Sequence, residues 1–338
     1  MQVDYYLPPA ATADAVGRAQ RAHRLGYDGF FTAETSHDPF LPIAAAAPQQ
    51  AGLDWGTAIA VAFARSPMVT AVTARDLSDA TRGRFLLGLG TQVKTHITRR
   101  FGMEWGEPAA RLRDYIGALR AVWDAWDHGT RLSFRGDFYQ LTLMTPFFDP
   151  GPARHGRIPV YVAGVGPHLC RVAGQTADGF HIHPFHTTTY LDRVVLPGIA
   201  AGAAEAGRDP SAIQLVSTVF VATGETEEQM ANARHEIARQ IAFYASTPSY
   251  RPVLETHGWD MGPTLTGMSK RGEWDAMAEV ISDEVLEEIA VVAPLDRLGA
   301  SIRERYADRL DRVGYYSLGG DAELTDAQWS ELIETTKA

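Results

Sequence analysis

The stretch from Ala58 to Thr91, AIAVAFARSPMVTAVTARDLSDATRGRFLLGLGT, constrains the fold more than any other part of the chain. It predicts strand, loop, helix, turn and strand, in that order. Small and branched apolar residues through Ile59, Val61 and Phe63 suit a buried strand. Arg65-Ser66-Pro67 stops that strand, and Pro67 fits the first turn of a helix. The helix is expected to run to about Ala80, with Arg82-Gly83-Arg84 as its exit turn. Phe85 to Leu87 then forms a short apolar strand that ends in Gly88-Leu89-Gly90-Thr91. Glycine at the C-terminal end of a strand lets the backbone approach a ligand closely. α/β barrels build their sites from such strand ends.

The same alternation runs through the rest of the chain. Strands are expected at Val3–Leu7, Gly29–Ala33, Pro159–Ala163, Gly179–His183, Ile213–Ala222 and Val313–Ser317. Helices are expected at Thr12–Leu25, with Thr12 as N-cap, and at Leu41–Gln50, Glu107–Trp126, His168–Gln175, Tyr190–Ala206, Glu225–Ala245, Leu295–Arg309 and Asp326–Thr335. About eight strands separated by helices imply an α/β class and a parallel sheet, and that number suits a closed (β/α)8 TIM barrel. With no low-complexity linker, residues 1–338 are expected to form a single domain. Two stretches interrupt the repeat as insertions. About 132–157 carries a small hairpin around Arg135-Gly136-Asp137, and about 246–283 is rich in proline and glycine. Tyr250 and Trp259 in the second could cover a site; the alternative is packing on a partner subunit.

Composition narrows the partners. A formal net charge of −10, from 41 acidic against 31 basic residues, argues against nucleic acid or an anionic membrane. Cys170 is the single cysteine, so the chain holds no internal disulfide and no cysteine-based zinc site. The N-terminus lacks the pattern of a signal peptide, and no apolar run is long enough to span a bilayer, so a cytoplasmic location is expected.

Candidate chemistry collects where strands end. Glu34, His37 and Asp38 follow the second strand, Gly90, Thr91 and Gln92 the fourth, and Gly164-Val165-Gly166-Pro167 the fifth. The last of these, before a helix, is either an anion cradle or a tight turn. His181 and His183, two apart on a strand, face the same way. They could begin a metal site completed by Glu34, His37 and Asp38, or form a pocket wall with the aromatics near Pro184. His37 is a candidate acid/base group, because imidazole titrates near neutrality, and Glu34 is a candidate for holding a substrate or cofactor group. No Gly-x-Ser-x-Gly elbow is present. Lys and Arg do not cluster as a sugar phosphate would need.

In order along nearly the whole chain, GYDGFFTAE, AIAVAFARSPMVTA, GRFLLGLGT, RIPVYVAGVGP and ADGFHIHP resemble the bacterial luciferase-like superfamily. ETSHDPF and FYASTPSYRPVLETHGW resemble its actinobacterial branch of oxidoreductases dependent on the deazaflavin coenzyme F420. The resemblance implies a luciferase-like TIM barrel with F420, or alternatively FMN, at the strand C-termini. It implies a cis peptide at Ala58–Ile59, so that Ala58, Ile59 and Ala60 face the ring. Gly90, Thr91 and Gln92 would edge the ring or ribityl chain. Gly164, Val165, Gly166 and Pro167, with His168, would meet the phosphate, and His181 and His183 would complete the cofactor pocket. His37 or Glu34 would be the catalytic acid/base, although related chains often carry Asp-His or Glu-His where this one has Glu34-Thr35. The implied activity is hydride transfer between F420 and a small organic substrate by a homodimer or larger homo-oligomer. The rivals are an FMN-dependent monooxygenase, a metal-dependent barrel hydrolase built on His181 and His183, and a barrel that only binds.

Overall fold

The computed structural model describes residues 1–316 and 324–338. Eight parallel strands form the core: β1 Gln2–Tyr6, β2 Gly29–Thr32, β3 Asp54–Thr57, β4 Phe85–Gly90, β5 Val160–Gly164, β6 Gly179–Ile182, β7 Gln214–Ala222 and β8 Arg312–Tyr316. Neighbours pair in sequence order from β1 to β7. β8 pairs with β7 on one side and with β1 on the other, which closes the barrel. The expected α/β TIM barrel is therefore the observed fold. Helices α1 Ala15–Leu25, α2 Leu41–Ala46, α3 Pro67–Ala80, α4 Pro108–His128, α5 Pro167–Thr176, α6 Leu196–Glu205, α7 Glu227–Ala245, α8 Leu295–Tyr306 and α9 Asp326–Lys337 intervene or follow.

The third strand differs from expectation. The barrel uses Asp54–Thr57, and the apolar run after it contributes only a short pairing at Ala60–Val61 against β4 before a 3-10 turn at Ala62–Ala64. Trp55 is buried and Asp54 is held by arginines, so Asp54-Trp55-Gly56-Thr57 meets both environments of a barrel strand despite its polar start. Thr12 starts a 3-10 turn and caps nothing with its side chain. Ser317, expected at the end of the last strand, lies outside the described residues.

Side chains alternate in and out along each strand, and the inward faces interlock by size. Gly56 sits under the Phe31 ring, Gly179 under Tyr161, Gly314 under Tyr6, and Gly29 beside Asp4 and Arg312; a methyl group at any of these would come within 2.6 Å of its neighbour. At Gly88 it would lie 1.8 Å from the Thr57 carbonyl oxygen and 2.9 Å from His181 Nε2. The Thr57 hydroxyl also bonds the Gly88 main chain through both its N–H (3.0 Å) and its oxygen (2.7 Å). That neighbour is backbone and has no room to retreat. Gly88→Ala is expected to lower stability by about 3 kcal/mol, the upper end for overpacking a core, read as an unfolding midpoint in urea. An unchanged midpoint would contradict this packing.

Both insertions are ordered excursions. In the first, Phe134–Arg135 pairs antiparallel with Gln140–Leu141. The Asp114 carboxylate of α4 anchors this hairpin by accepting the N–H groups of Phe138 (2.8 Å) and Tyr139 (2.9 Å). The second is helical rather than irregular, with Arg251–His257, Gly262–Arg271, Trp274–Ala278 and Asp283–Ile289. Its Pro252 and Pro263 stand in first turns, and Gly258 and Gly272 end helices at φ of +70° and +76°. These residues cap helices here, although their density suggests loop. Among the described residues, no helix is long and apolar enough to cross a membrane.

Candidate active site at the barrel mouth

The strand C-termini define one open end of the barrel. Its β2–β4 side is built around the Ala58–Ile59 peptide, which is cis, as the resemblance implied. The segment is held in place from both flanks. Ala58 donates its N–H to the Thr32 oxygen (2.7 Å), and Glu34 donates its own to the Ile59 oxygen (3.0 Å). The Glu34 carboxylate accepts the Val61 N–H (2.6 Å) and a fork from Arg65 (2.6 and 3.0 Å). Burial alone would lower the Arg65 pKa, but the Glu34 hydrogen bond and charge raise it, so the pair is ionic. Arg65 also lies 3.7 Å from Asp38 and stacks over Phe40. Glu34 therefore has both oxygens engaged, whereas His37 is exposed on the same loop.

Next to this segment, Gly90 faces inward under Ile59, whose side chain would lie 2.7 Å from any methyl group added there. Thr91 is nearly buried, and Gln92 takes a left-handed φ of +56°, with its side-chain oxygen accepting the Val93 N–H at 2.9 Å. On the adjoining strand β5, Gly164 packs on Leu169. Gly166 precedes α5 with nothing within 4 Å of where a side chain would start. The ten-residue helix α5 starts at Pro167, so its positive end faces this open space. Val165 is half-buried, and its carbonyl accepts the Tyr190 hydroxyl.

The β6–β8 side is aromatic. His181 lies among Phe31 and Tyr161, with ring centroids at 5.7 and 5.4 Å, and its buried Nε2 has no hydrogen-bond partner among the described residues. Burial, and secondarily Arg312, pushes its pKa down to about 3. His183 stands between Tyr244 (4.6 Å) and Tyr250 (4.5 Å), and burial likewise pushes it down to about 3. Both imidazoles are thus neutral near pH 7. Tyr244 and Tyr316 share a hydroxyl contact of 3.1 Å, and Phe220 packs on Tyr316 at 4.8 Å. Among the described residues, no group of three or more His, Cys, Asp or Glu is arranged to hold a metal, and His181 and His183 instead contact rings.

The profile of the luciferase-like monooxygenase family matches residues 2–312. The chain belongs to that family. Within it, the chain is 46% identical over 306 residues to an uncharacterized protein of Mycobacterium tuberculosis, covering 90% of each. It is 25% identical over 292 residues to the 5,10-methylenetetrahydromethanopterin reductase of Methanolobus tindarius, covering 85% of this chain and 84% of that one. The coenzyme F420-dependent tetrahydromethanopterin reductase of Methanopyrus kandleri superposes with a TM-score of 0.80 at 18% identity, over 99% of this chain and 98% of its own.

In this luciferase-like barrel, the expected residues lie at or just past the ends of consecutive strands. Glu34 and His37 follow β2, Ala58, Ile59 and Ala60 follow β3, Gly90, Thr91 and Gln92 end β4, Gly164 to Pro167 end β5, and His181 and His183 end β6. Sequence reasoning put Arg65 at the end of the third strand without pairing it to Glu34, and it missed Tyr244 and Tyr316 in the aromatic wall. Arg65 directly follows the buried apolar run, which hints at an inward guanidinium. Tyr244 and Tyr316 end an ordinary helix and strand and carry no local signal.

Proposed function

We propose that the protein transfers hydride between coenzyme F420 and a small organic substrate bound at the barrel mouth. The observation that carries this reading is the open space before α5, where nothing lies within 4 Å of a side chain placed at Gly166 and the positive end of the helix faces the mouth. A planar heterocycle with a phosphate-bearing tail fits the residues present. Ile59, which covers Gly90, would face the ring, and the space before α5 would take the phosphate. When bound, F420 supplies the hydride chemistry. The chain's own residues orient and enclose it. Glu34, clasped by Arg65, holds the Ala58–Val61 segment, and exposed His37 is the acid/base group of that rim. The Methanopyrus structural neighbour is a coenzyme F420-dependent reductase, which supports the cofactor.

The family description favours a second reading, an FMN-dependent monooxygenase. Titration of the purified protein with oxidised F420 and with FMN, each followed by its own fluorescence, separates the two. Saturable F420 binding that far exceeds FMN binding is expected. FMN binding without F420 binding would replace the proposal with the monooxygenase.

A further inference from the structure

Tyr250 belongs to the excursion that follows α7, yet it reaches the barrel mouth and touches His183 just past β6. The Nδ1 of His183 lies 3.1 Å from the Phe185 N–H, which can only donate, so Nδ1 accepts. In a neutral imidazole the proton is then on Nε2, and Nε2 lies 3.1 Å from the Tyr250 hydroxyl oxygen. That oxygen accepts from His183, which leaves the hydroxyl hydrogen unspent. The rings around it are Tyr244 at 5.5 Å and Phe185 at 5.9 Å. Among the described residues, no lysine, arginine or carboxylate hydrogen-bonds to His183, Tyr244, Tyr250 or Tyr316.

We infer that Tyr250, oriented by His183, is the hydrogen-bond donor that binds and polarises the accepting atom of the substrate, and that this substrate is an uncharged carbonyl-type compound with a flat or cyclic body. The inference rests on the hydride-transfer reading for its catalytic meaning, since a hydrogen bond to the oxygen makes the attached carbon a better hydride acceptor. The substrate class follows from the wall itself. Aromatic faces favour a flat apolar body, and a single neutral donor satisfies a carbonyl oxygen. A carboxylate would lose its hydration against these rings, and among the described residues no cation hydrogen-bonds to them to offset that loss. His183 is a positioning residue. It fixes the direction of the Tyr250 hydroxyl and touches no reacting atom.

The test uses the full chain without cofactor, so a failure to bind F420 would not disturb it. Nitrogen-15 NMR of the histidine rings is expected to show His183 neutral and protonated on Nε2. The opposite tautomer, or a cation near pH 7, would overturn the inference. Calorimetric titration with benzamide and benzoate as probes is expected to show benzamide binding more tightly. Tyr250→Phe, which keeps the ring, should weaken benzamide about five- to ten-fold, the worth of one neutral hydrogen bond. Equal benzamide affinity in the variant, tighter binding of benzoate, or no saturable benzamide binding to the parent protein would each overturn it.

Discussion

Acidification from pH 7 to pH 5 is expected to remove about 6 kcal/mol of folding stability, with three buried histidines as the cause. Burial holds His181 and His183 down at about 3 and His186 at about 4, against an ordinary value of 6.5. Arg312 adds to the shift of His181 and Arg305 to that of His186. The sign follows from which state takes up the protons. Above 6.5 neither state is protonated, and the full stability is present. As pH falls below 6.5, the unfolded chain binds protons that the native interior refuses. Stability is then lost progressively until the folded values near 3 and 4 are reached. At pH 5 each histidine accounts for about 2 kcal/mol. Urea denaturation at pH 7, 6 and 5 reads this directly. His186, buried against the Tyr306 ring, lies 2.8 Å through Nδ1 from the His183 carbonyl oxygen, a contact that a glutamine amide can also make, and is the residue to vary. His186→Gln should flatten the pH slope by about a third, in proportion to one histidine of three. A stability that stays level between pH 7 and 5 would mean that these rings can protonate in place.

Replacement of Arg312 by methionine is expected to cost about 3–5 kcal/mol, the penalty for breaking a buried ion pair from one side. The side chains of Arg312 and Asp4 are 3% and 0% exposed in the barrel floor. The guanidinium donates to both Asp4 oxygens (2.8 and 2.6 Å), to Gln2 (2.7 Å) and to Asp54 (2.8 Å). Burial alone would lower the arginine's pKa, but the Asp4 and Asp54 contacts raise it, so it stays charged. Methionine fills similar volume yet leaves the Asp4 carboxylate without a counter-charge. Changing both residues, Asp4→Leu with Arg312→Met, should recover much of the loss, because the isolated charge causes it. A thermodynamic cycle over the four proteins tests this. Independent, additive losses would contradict the explanation.

Much of the fold was legible because its period is long and regular. Helix Pro67–Ala80 begins at Pro67, and Ser66 accepts the Val69 N–H as its cap. The glycine-ended strand Phe85–Gly90 ends among the expected glycines, with Gly88 and Gly90 paired to β5. Misplaced parts were those where the local signal had two meanings. The run after Ala58 is apolar enough for a strand, but the chain turns there, and the shorter Asp54–Thr57 takes the barrel position. Proline and glycine in 246–283 suggested loop, yet they cap short helices. Val291–Val292 pairs with the end of β7 and went unseen, being too short to show alternation.

Near the mouth, the chain's order of residues was enough to put Glu34, His37, the Ala58–Ala60 segment, Gly90 to Gln92, Gly164 to Pro167, His181 and His183 at or close to strand ends. What each of them touches was decided by the closed barrel. Arg65 meets Glu34 across 31 positions, and Tyr250 meets His183 across 67. Periodicity along a chain reports which face of an element is apolar, so it determines the class of fold. It carries no information on which groups from distant elements converge, because that depends on strand register and barrel closure, which only the folded packing sets.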